Sequence, residues 1–269
     1  MPFLTFQGGT CERRYLRPDY AINRPDLDIN AHSDWFMTKW GRPYFVMHFD
    51  AMPELSFAFP ERSNVEHAGH RCFSIPVRFN PHNTKTTPGI DFGHVMILRD
   101  VDAVFDPADL PRSEDLRNYF KQNAQKIADI ALKYVKDYQD FMNNKEGCRL
   151  SPDNYFKHYK FTSYEHFAEE LEVPQVKHQV MLPVRYYNPV ADRSYYPSIL
   201  YIPEQNRIVS SFSKKQMTLE SFIEFVGKKF PAGSHRTSSA LRNAIVQELP
   251  KLKELHKAIP VCSKGEAKT

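Results

Sequence analysis

The longest regular pattern of hydrophobic and polar positions runs from Ser113 to Met142. Apolar side chains recur there at intervals of three and four residues, the spacing that places them on one face of an α-helix. Ser113 can accept a hydrogen bond from an amide of the first turn, and Asn143 and Asn144 follow the last apolar position. The pattern therefore predicts one long amphipathic helix. Its apolar positions are Leu116, Phe120, Ala124, Ile127, Ile130, Ala131, Tyr134, Tyr138 and Phe141.

Short apolar runs before this helix predict β-strands. Pro76 lies in the third run, so we expect that strand at a sheet edge or a bulge, where a missing backbone donor is tolerated. Residues 1–43 have no sustained period and are predicted to be a mostly irregular arm docked on the rest of the chain. The predicted strands are Tyr44–Phe49, Leu55–Phe59, Arg71–Phe79, His94–Leu98 and Val101–Phe105.

The chain after the long helix predicts a second mixture of strands and helices. Val176–Tyr187 is strand-like, and Ser198–Ile202 with Arg207–Phe212 predicts a hairpin. The predicted helices begin at Ser163, Thr218 and Ser238, and Pro250 is expected to kink or divide the last one, because proline removes a backbone donor.

We therefore expect an α+β protein with strand-rich layers packed on one long amphipathic helix. The expected divisions are an arm at 1–43, a strand-rich unit with the long helix at 44–147, a second α+β unit at 148–262 and a frayed tail at 263–269.

Two stretches suggest an internal duplication. Ile75–Pro81 resembles Leu182–Pro189, and each is followed by a loop, a predicted hairpin and a capped helix. The two prolines are 107 residues apart (183 − 76), and the capping residues Ser113 and Thr218 are 105 apart (218 − 113). Either two related sheet-plus-helix units produce this register, or it is coincidence. Duplication would place Arg78 and Arg185 at equivalent positions, as a pair suited to a phosphate or carboxylate, whereas local salt bridges are the alternative.

Composition narrows the functional classes. Only 10 glycines occur, and we find neither a dinucleotide-binding nor a Walker A pattern, so nucleotide chemistry of those kinds is disfavoured. A net charge of +4 permits nucleic acid without requiring it. The chain lacks a signal-peptide pattern and an apolar run long enough for a bilayer, which predicts a soluble protein without a membrane partner. The four cysteines are widely separated and predict reduced thiols in the cytoplasm.

Histidines in the front half are candidate metal ligands. Six of the 11 histidines fall between residues 32 and 94, and His67 and His70 stand just before an apolar strand. Two histidines and a carboxylate on strands can hold ferrous iron. The segment resembles the metal-bearing strand of ferrous 2-oxoglutarate-type oxygenases, although Gly69 stands where that family has Asp and no later His followed by Arg is found at the distance that such enzymes need. The resemblance implies Fe or another divalent metal; surface or hydrogen-bonded histidines are the alternative.

Aromatic and basic residues alternate in two later stretches. The first is Tyr155–Phe161, with Lys157, Tyr159 and Lys160, and the second begins at Arg185 and Tyr186 and continues to Tyr196. Rings for stacking and cations for phosphates are what a single-stranded nucleic acid requires. A half-buried strand with lysine on its wet side would give the same pattern.

These observations favour a non-enzymatic structural or scaffold protein that contacts single-stranded nucleic acid. The predicted contacts are Arg78, Lys157, Tyr159, Lys160, Arg185 and Tyr186. No cofactor is expected in that case, and a protein partner or homo-oligomer is compatible with it. The alternative is a metal-dependent enzyme, oxygenase-like or a hydrolase, that uses front-half histidines and aspartates.

Overall fold

A computed structural model gives the fold of this chain, which divides into two compact units. The first unit comprises Met1–Arg149 and His158–Val173, and the second comprises Leu150–Lys157 and Pro174–Thr269. Thirteen strands and four α-helices are found within the described ranges. The structure describes residues 2–17, 43–65, 72–79, 85–109, 111, 113–159, 162–188, 193–213, 215–230 and 236–258.

The first unit contains an eight-stranded antiparallel sheet. Its main path has the order β1-β2-β3-β4-β6-β5, with β7 paired to β4 and β8 paired to β2. Buried aromatic side chains of β3 and β4, such as Phe45 and Phe59, form its interior. The strands are β1 Leu4–Phe6, β2 Gly9–Leu16, β3 Pro43–Phe49, β4 Ser56–Arg62, β5 Cys72–Ser74, β6 Gly89–Asp91, β7 Met96–Leu98 and β8 Phe105–Pro107.

Strands β1 and β2 correct the prediction that the N-terminal arm is mostly irregular. β2 pairs with β3 along one edge and with β1 and β8 along the other. Its arginines obscured the strand pattern, but they have partners far along the chain. Arg13 Nε donates to Glu61 Oε1 at 2.7 Å, and Arg14 Nη1 donates to Asp102 Oδ1 at 2.8 Å. The rest of the predicted arm, 18–42, lies outside the described residues.

The strand predicted over 71–79 is shorter than expected. β5 ends at Ser74, and Val77–Phe79 form a 3₁₀ helix that begins directly after Pro76. Proline has no backbone donor and a fixed φ, which suits the start of such a turn better than a ladder.

The long helix α1, Glu114–Met142, confirms the predicted amphipathic helix. The Ser113 side chain accepts from the Leu116 amide at 3.3 Å, as expected for an N-cap. Asn144 adopts a φ of +52°, a left-handed conformation that ends helices. On the buried face, the Phe120 ring lies 4.8 Å from the Phe45 ring and 5.8 Å from the Phe3 ring.

The second unit combines a three-stranded antiparallel sheet, of order β13-β12-β9, with a separate two-stranded hairpin and three helices. The predicted hairpin is confirmed as β12 and β13, joined through Asn206 at a φ of +45°. The strands are β9 His178–Met181, β10 Tyr186–Asn188, β11 Arg193–Tyr195, β12 Ser198–Ile202 and β13 Arg207–Ser210; the helices are α2 Pro152–His158, α3 Leu219–Lys229 and α4 Arg236–Lys257.

Helices α3 and α4 pack on this sheet through a shared hydrophobic core. Thr218 caps α3 as predicted, accepting from the Ser221 amide at 3.2 Å. Pro250 lies inside α4 and does not divide it. Core members include Ile199, Tyr201, Ile208, Phe222, Phe230, Leu241, Ile245 and Leu252.

Three further expectations meet a different structure. Of the stretch Tyr155–Phe161, residues 155–158 lie in α2 and not in a strand, and residues 160 and 161 lie outside the described residues. Ser163 makes no cap hydrogen bond, because its hydroxyl donates to the Val95 carbonyl at 2.5 Å, and only a 3₁₀ turn over Tyr164–Phe167 follows it. The duplication is not confirmed: Arg78 lies in a 3₁₀ helix, whereas Arg185 directly precedes strand β10. No helix in the described ranges is long and apolar enough to span a bilayer.

Candidate nucleic-acid interface

Formal charge differs sharply between the two units. The second unit contains 16 Lys and Arg against 8 Asp and Glu, a net charge of +8. The first contains 20 against 24, a net charge of −4. The mild charge of the whole chain therefore conceals a basic unit, and a basic excess of this kind is what a polyanionic partner requires.

The hairpin of β10 and β11 presents a row of exposed side chains. Tyr187 pairs with Ser194 in the antiparallel register, and alternation along each strand places Arg185 and Tyr196 on the same side. All four side chains are exposed, Tyr187 by 47% and Tyr196 by 53%. We call Arg185, Tyr187, Ser194 and Tyr196 the outward face.

The opposite side of the hairpin is anchored in the second unit. Tyr186 and Tyr195 face each other with ring centroids 5.9 Å apart, and the Tyr186 ring lies 6.1 Å from the Phe230 ring. The Tyr195 hydroxyl donates to the Ser211 carbonyl at 3.1 Å. These contacts hold the backbone of the hairpin against the core, so the outward face is presented on a supported element.

The outward face combines the two groups that bind a single strand. Tyrosine rings offer flat apolar surfaces on which bases stack, and stacking tolerates any base because each has a π-face. The Arg185 guanidinium can donate two parallel hydrogen bonds to one phosphate. Within the described part of the chain, Arg185 has no ion-pair partner.

Tyr186, one of the predicted contacts, is half-buried on the inner side. Its ring contacts Tyr195 and Phe230 and supports the hairpin from below. The neighbouring Tyr187 and Tyr196 have the exposure that stacking needs, and they were missed as site residues. The signal was available: once the segment is taken as a strand, the period of two separates residues 185, 187 and 196 from 186 and 195.

The first basic-aromatic stretch has a different arrangement. Lys157 is exposed on α2, but Tyr159 is only 4% exposed and its hydroxyl donates to the Tyr134 carbonyl at 2.8 Å. Its ring stacks on that of Tyr134 at 4.3 Å. A ring held in this way offers no face to a base, so Tyr159 does not suit the predicted stacking role. Lys160 lies outside the described residues.

Arg78 belongs to the first unit and lies on its surface. Its guanidinium stands 4.8 Å from the Phe79 ring, a cation–π contact, and it lines an open cavity of about 560 Å³ with Tyr119 and Asn118. The structure gives no support for treating Arg78 and Arg185 as an equivalent pair, because their local structures differ.

The predicted metal ligands His67 and His70 lie outside the described residues. Of the front-half histidines that are described, His48 contacts Ser56, with its Nδ1 at 3.1 Å from the hydroxyl, and burial lowers its pKa. Among described residues, no group of three or more His, Cys, Asp or Glu is arranged to hold a metal ion. The metal-dependent alternative stays a prediction.

His94, Asp91 and Arg62 form a cluster of side chains in the first unit. His94 Nδ1 lies 2.9 Å from Asp91 Oδ2, which also accepts from Arg62 Nη1 at 2.6 Å, while Asp91 Oδ1 accepts from the Gly93 amide at 2.9 Å. Burial raises the pKa of Asp91, but the contacts with His94 and Arg62 outweigh it and lower the pKa to about 2. The cluster thus keeps an ionised carboxylate in the interior.

Comparison of the chain with models of protein families, with curated proteins and with solved structures found no match.

Proposed function

We propose that this protein is a non-enzymatic nucleic-acid-binding protein whose basic second unit holds a single strand on the outward face. The observation that carries the proposal is the side-by-side exposure of Tyr187 and Tyr196 with Arg185 on one face of an anchored hairpin. The net charge of +8 on the same unit supports it, because phosphate neutralisation supplies most of the affinity for a polyanion.

Two roles follow for the side chains of the outward face. Tyr187 and Tyr196 stack on successive bases, and Arg185 contacts the backbone beside them. Lys157, exposed on α2 of the same unit, adds to the positive field. Binding of this kind reads little sequence, since neither a ring face nor a phosphate distinguishes one base from another.

The state of the cysteines supports a cytoplasmic setting, which we include in the proposal. Among the described cysteines, Cys11, Cys72 and Cys148, no disulfide is formed, and burial raises the pKa of the Cys11 thiol well above its ordinary value. Such thiols persist in a reducing compartment.

Fluorescence anisotropy of a labelled oligothymidylate tests the stacking role. Tyr196→Ala should weaken binding by about 1–3 kcal/mol, because one stacked base loses its platform. Tyr196→Phe keeps the ring and should bind like the wild type. Val246→Ala removes an exposed apolar side chain from α4 of the same unit and serves as the matched control.

The salt dependence of the same titration tests the phosphate contact. Arg185→Gln should reduce the slope of log affinity against log salt by about 0.7, the value for one phosphate of a single strand. Lys121→Gln removes an exposed cation from the first unit and should leave the slope unchanged. Binding that is indifferent to both Tyr196→Ala and Arg185→Gln, or no binding at low salt, would refute the proposal.

A further inference from the structure

A second basic and aromatic feature lies at helix α3 in the second unit. An open groove of about 730 Å³ runs along this helix and the segment before it. Ser221, Glu224, Phe225 and Lys228 follow one another at helical spacing along its wall, on the side of α3 away from the buried Phe222 and Val226. Lys215, Met217 and Lys229 complete the part of the lining that carries charge or apolar surface.

The groove is lined by more positive than negative side chains. Lys215 and Lys228 are exposed, and the single carboxylate of the lining, Glu224, pairs with Lys228 at 2.5 Å. Lys229 Nζ donates to the Phe212 carbonyl at 2.8 Å and stands 5.2 Å from the Phe225 ring. Three ammonium groups therefore face one carboxylate, over a floor to which Phe225 and Met217 contribute apolar surface. An anionic ligand with apolar parts complements such a groove.

Direct contacts connect the groove with the hairpin. The Tyr186 ring on the inner side of the hairpin lies 6.1 Å from the Phe230 ring, and Lys229 Nζ of the groove lies 5.7 Å from the same Phe230 ring. Phe230 thus separates the two features by the width of one aromatic side chain. The groove and the inner side of the hairpin are therefore neighbours in the second unit.

We propose that the groove binds the phosphodiester backbone of the same single strand, beyond the nucleotides that stack on the hairpin. Lys215 and Lys228 contact phosphates, Lys229 fixes the position of the Phe225 ring, and Phe225 and Met217 contact the sugar and base. This inference rests on the proposed function and extends it: the binding site is a continuous path longer than the hairpin. Glu224 opposes the phosphates and limits the affinity of the path.

A length series separates the two parts of the path. Oligothymidylates of about 4 and about 12 nucleotides, lengths within the range that one small binding domain covers, would be titrated against each variant. The wild type should bind the longer oligomer more tightly. Lys215→Gln/Lys228→Gln should bind the short oligomer like the wild type but the long one about tenfold more weakly, with a salt slope lower by about 1.4 for two lost phosphate contacts.

Glu224→Gln provides a variant in which damage to the fold cannot imitate the expected result. It removes the carboxylate that neutralises Lys228, so the long oligomer should bind several-fold more tightly while the short one is unaffected. Thermal melting of each variant without ligand confirms that the second unit is intact.

The possible outcomes distinguish failure of this inference from failure of the proposed function. If Tyr196→Ala weakens binding of both lengths while the lysine and Glu224 variants behave like the wild type, the groove is excluded and the hairpin site remains. If the double lysine variant loses both lengths equally, the groove is not an extension of the hairpin and the inference is overturned. Absence of binding by the wild type at low salt overturns both.

Discussion

In the first unit Tyr134, Tyr159 and Tyr164 pack together in the interior, whereas in the second unit Tyr187 and Tyr196 stand on the outward face. The buried hydroxyls all donate to backbone carbonyls: Tyr134 to His158, Tyr159 to Tyr134 at 2.8 Å and Tyr164 to Phe92 at 3.1 Å. Burial raises the pKa of Tyr164 well above its ordinary value. The same residue type thus fills the interior at some positions and forms a surface at others.

The two basic-aromatic stretches show how the type of secondary structure affects which aromatic rings are buried. In helix α2, Tyr155 and Phe156 are neighbours in sequence, and both rings are buried on one broad face of the helix. In the hairpin, neighbouring tyrosines point to opposite sides, so Tyr186 anchors the strand and Tyr187 is exposed. A hairpin with an aromatic pair on each side is both held by a core and available to a ligand.

Carboxylates extend the comparison. Glu165 in the first unit is buried enough that its pKa rises to about 7. Glu224 in the second unit is exposed, and its contact with Lys228 lowers its pKa. Packing thus raises the pKa of Glu165 in the first unit, whereas Glu224 in the second unit is exposed to solvent and pairs with Lys228. Three predictions test this contrast, from the largest expected effect to the smallest.

Tyr159→Ala should destabilise the protein by about 3–5 kcal/mol, the usual cost of deleting a buried aromatic side chain. Tyr196→Ala, at an exposed position, should change stability by no more than about 0.5 kcal/mol. Urea unfolding followed by tyrosine fluorescence and circular dichroism measures both. Similar losses in the two variants would show that the assignment of interior and surface tyrosines is wrong.

Glu165→Gln should raise stability at alkaline pH. Below its ordinary value of 4.5 the carboxyl is protonated in both states, and as pH rises to about 7 the unfolded chain ionises first, so wild-type stability falls. The amide side chain of the variant does not ionise, so the variant should be more stable than the wild type by up to about 3 kcal/mol at pH 8. At pH 4 the two should have nearly the same stability.

The matched control for this prediction is Glu224→Gln, at an exposed glutamate whose pKa is lowered. It should give no gain that grows with pH, because its charged form is favoured in the folded state. Unfolding titrations at a series of pH values compare the two variants. A Glu165→Gln variant whose advantage does not change with pH would contradict the prediction.

Acid should weaken the first unit through Asp91. Its pKa is about 2 in the folded protein against an ordinary value of 3.8, so its contribution is present above pH 3.8 and is lost as pH falls towards 2. The loss should be about 2 kcal/mol. Asp91→Asn should be less stable than the wild type at neutral pH and should lack this part of the acid dependence. An identical acid profile in wild type and variant would exclude Asp91 as its source.

Elements that depend on interactions between residues close together in sequence could be predicted from the sequence alone. The caps Ser113 and Thr218, the apolar stripe of α1 and the turn at Asn206 all depend on residues that are close together in sequence. A cap hydrogen bond or a left-handed turn needs no distant partner, which is why these elements lie where the pattern predicted them.

Other features depend on contacts with residues that are far away in sequence, so they are seen only in the tertiary structure. β2 is a strand because its backbone pairs with β1, β3 and β8, and Glu61 and Asp102 accept from its Arg13 and Arg14 across 48 and 88 residues of chain. Tyr159 is interior because it packs against Tyr134, 25 residues away. The Tyr134 carbonyl accepts a hydrogen bond from the Tyr159 hydroxyl, and the two rings stack. An alternation of aromatic and basic residues has the same sequence pattern in a helix as in a hairpin. The exposure of each ring depends on which core its neighbours join, and that core is assembled from residues far apart in sequence.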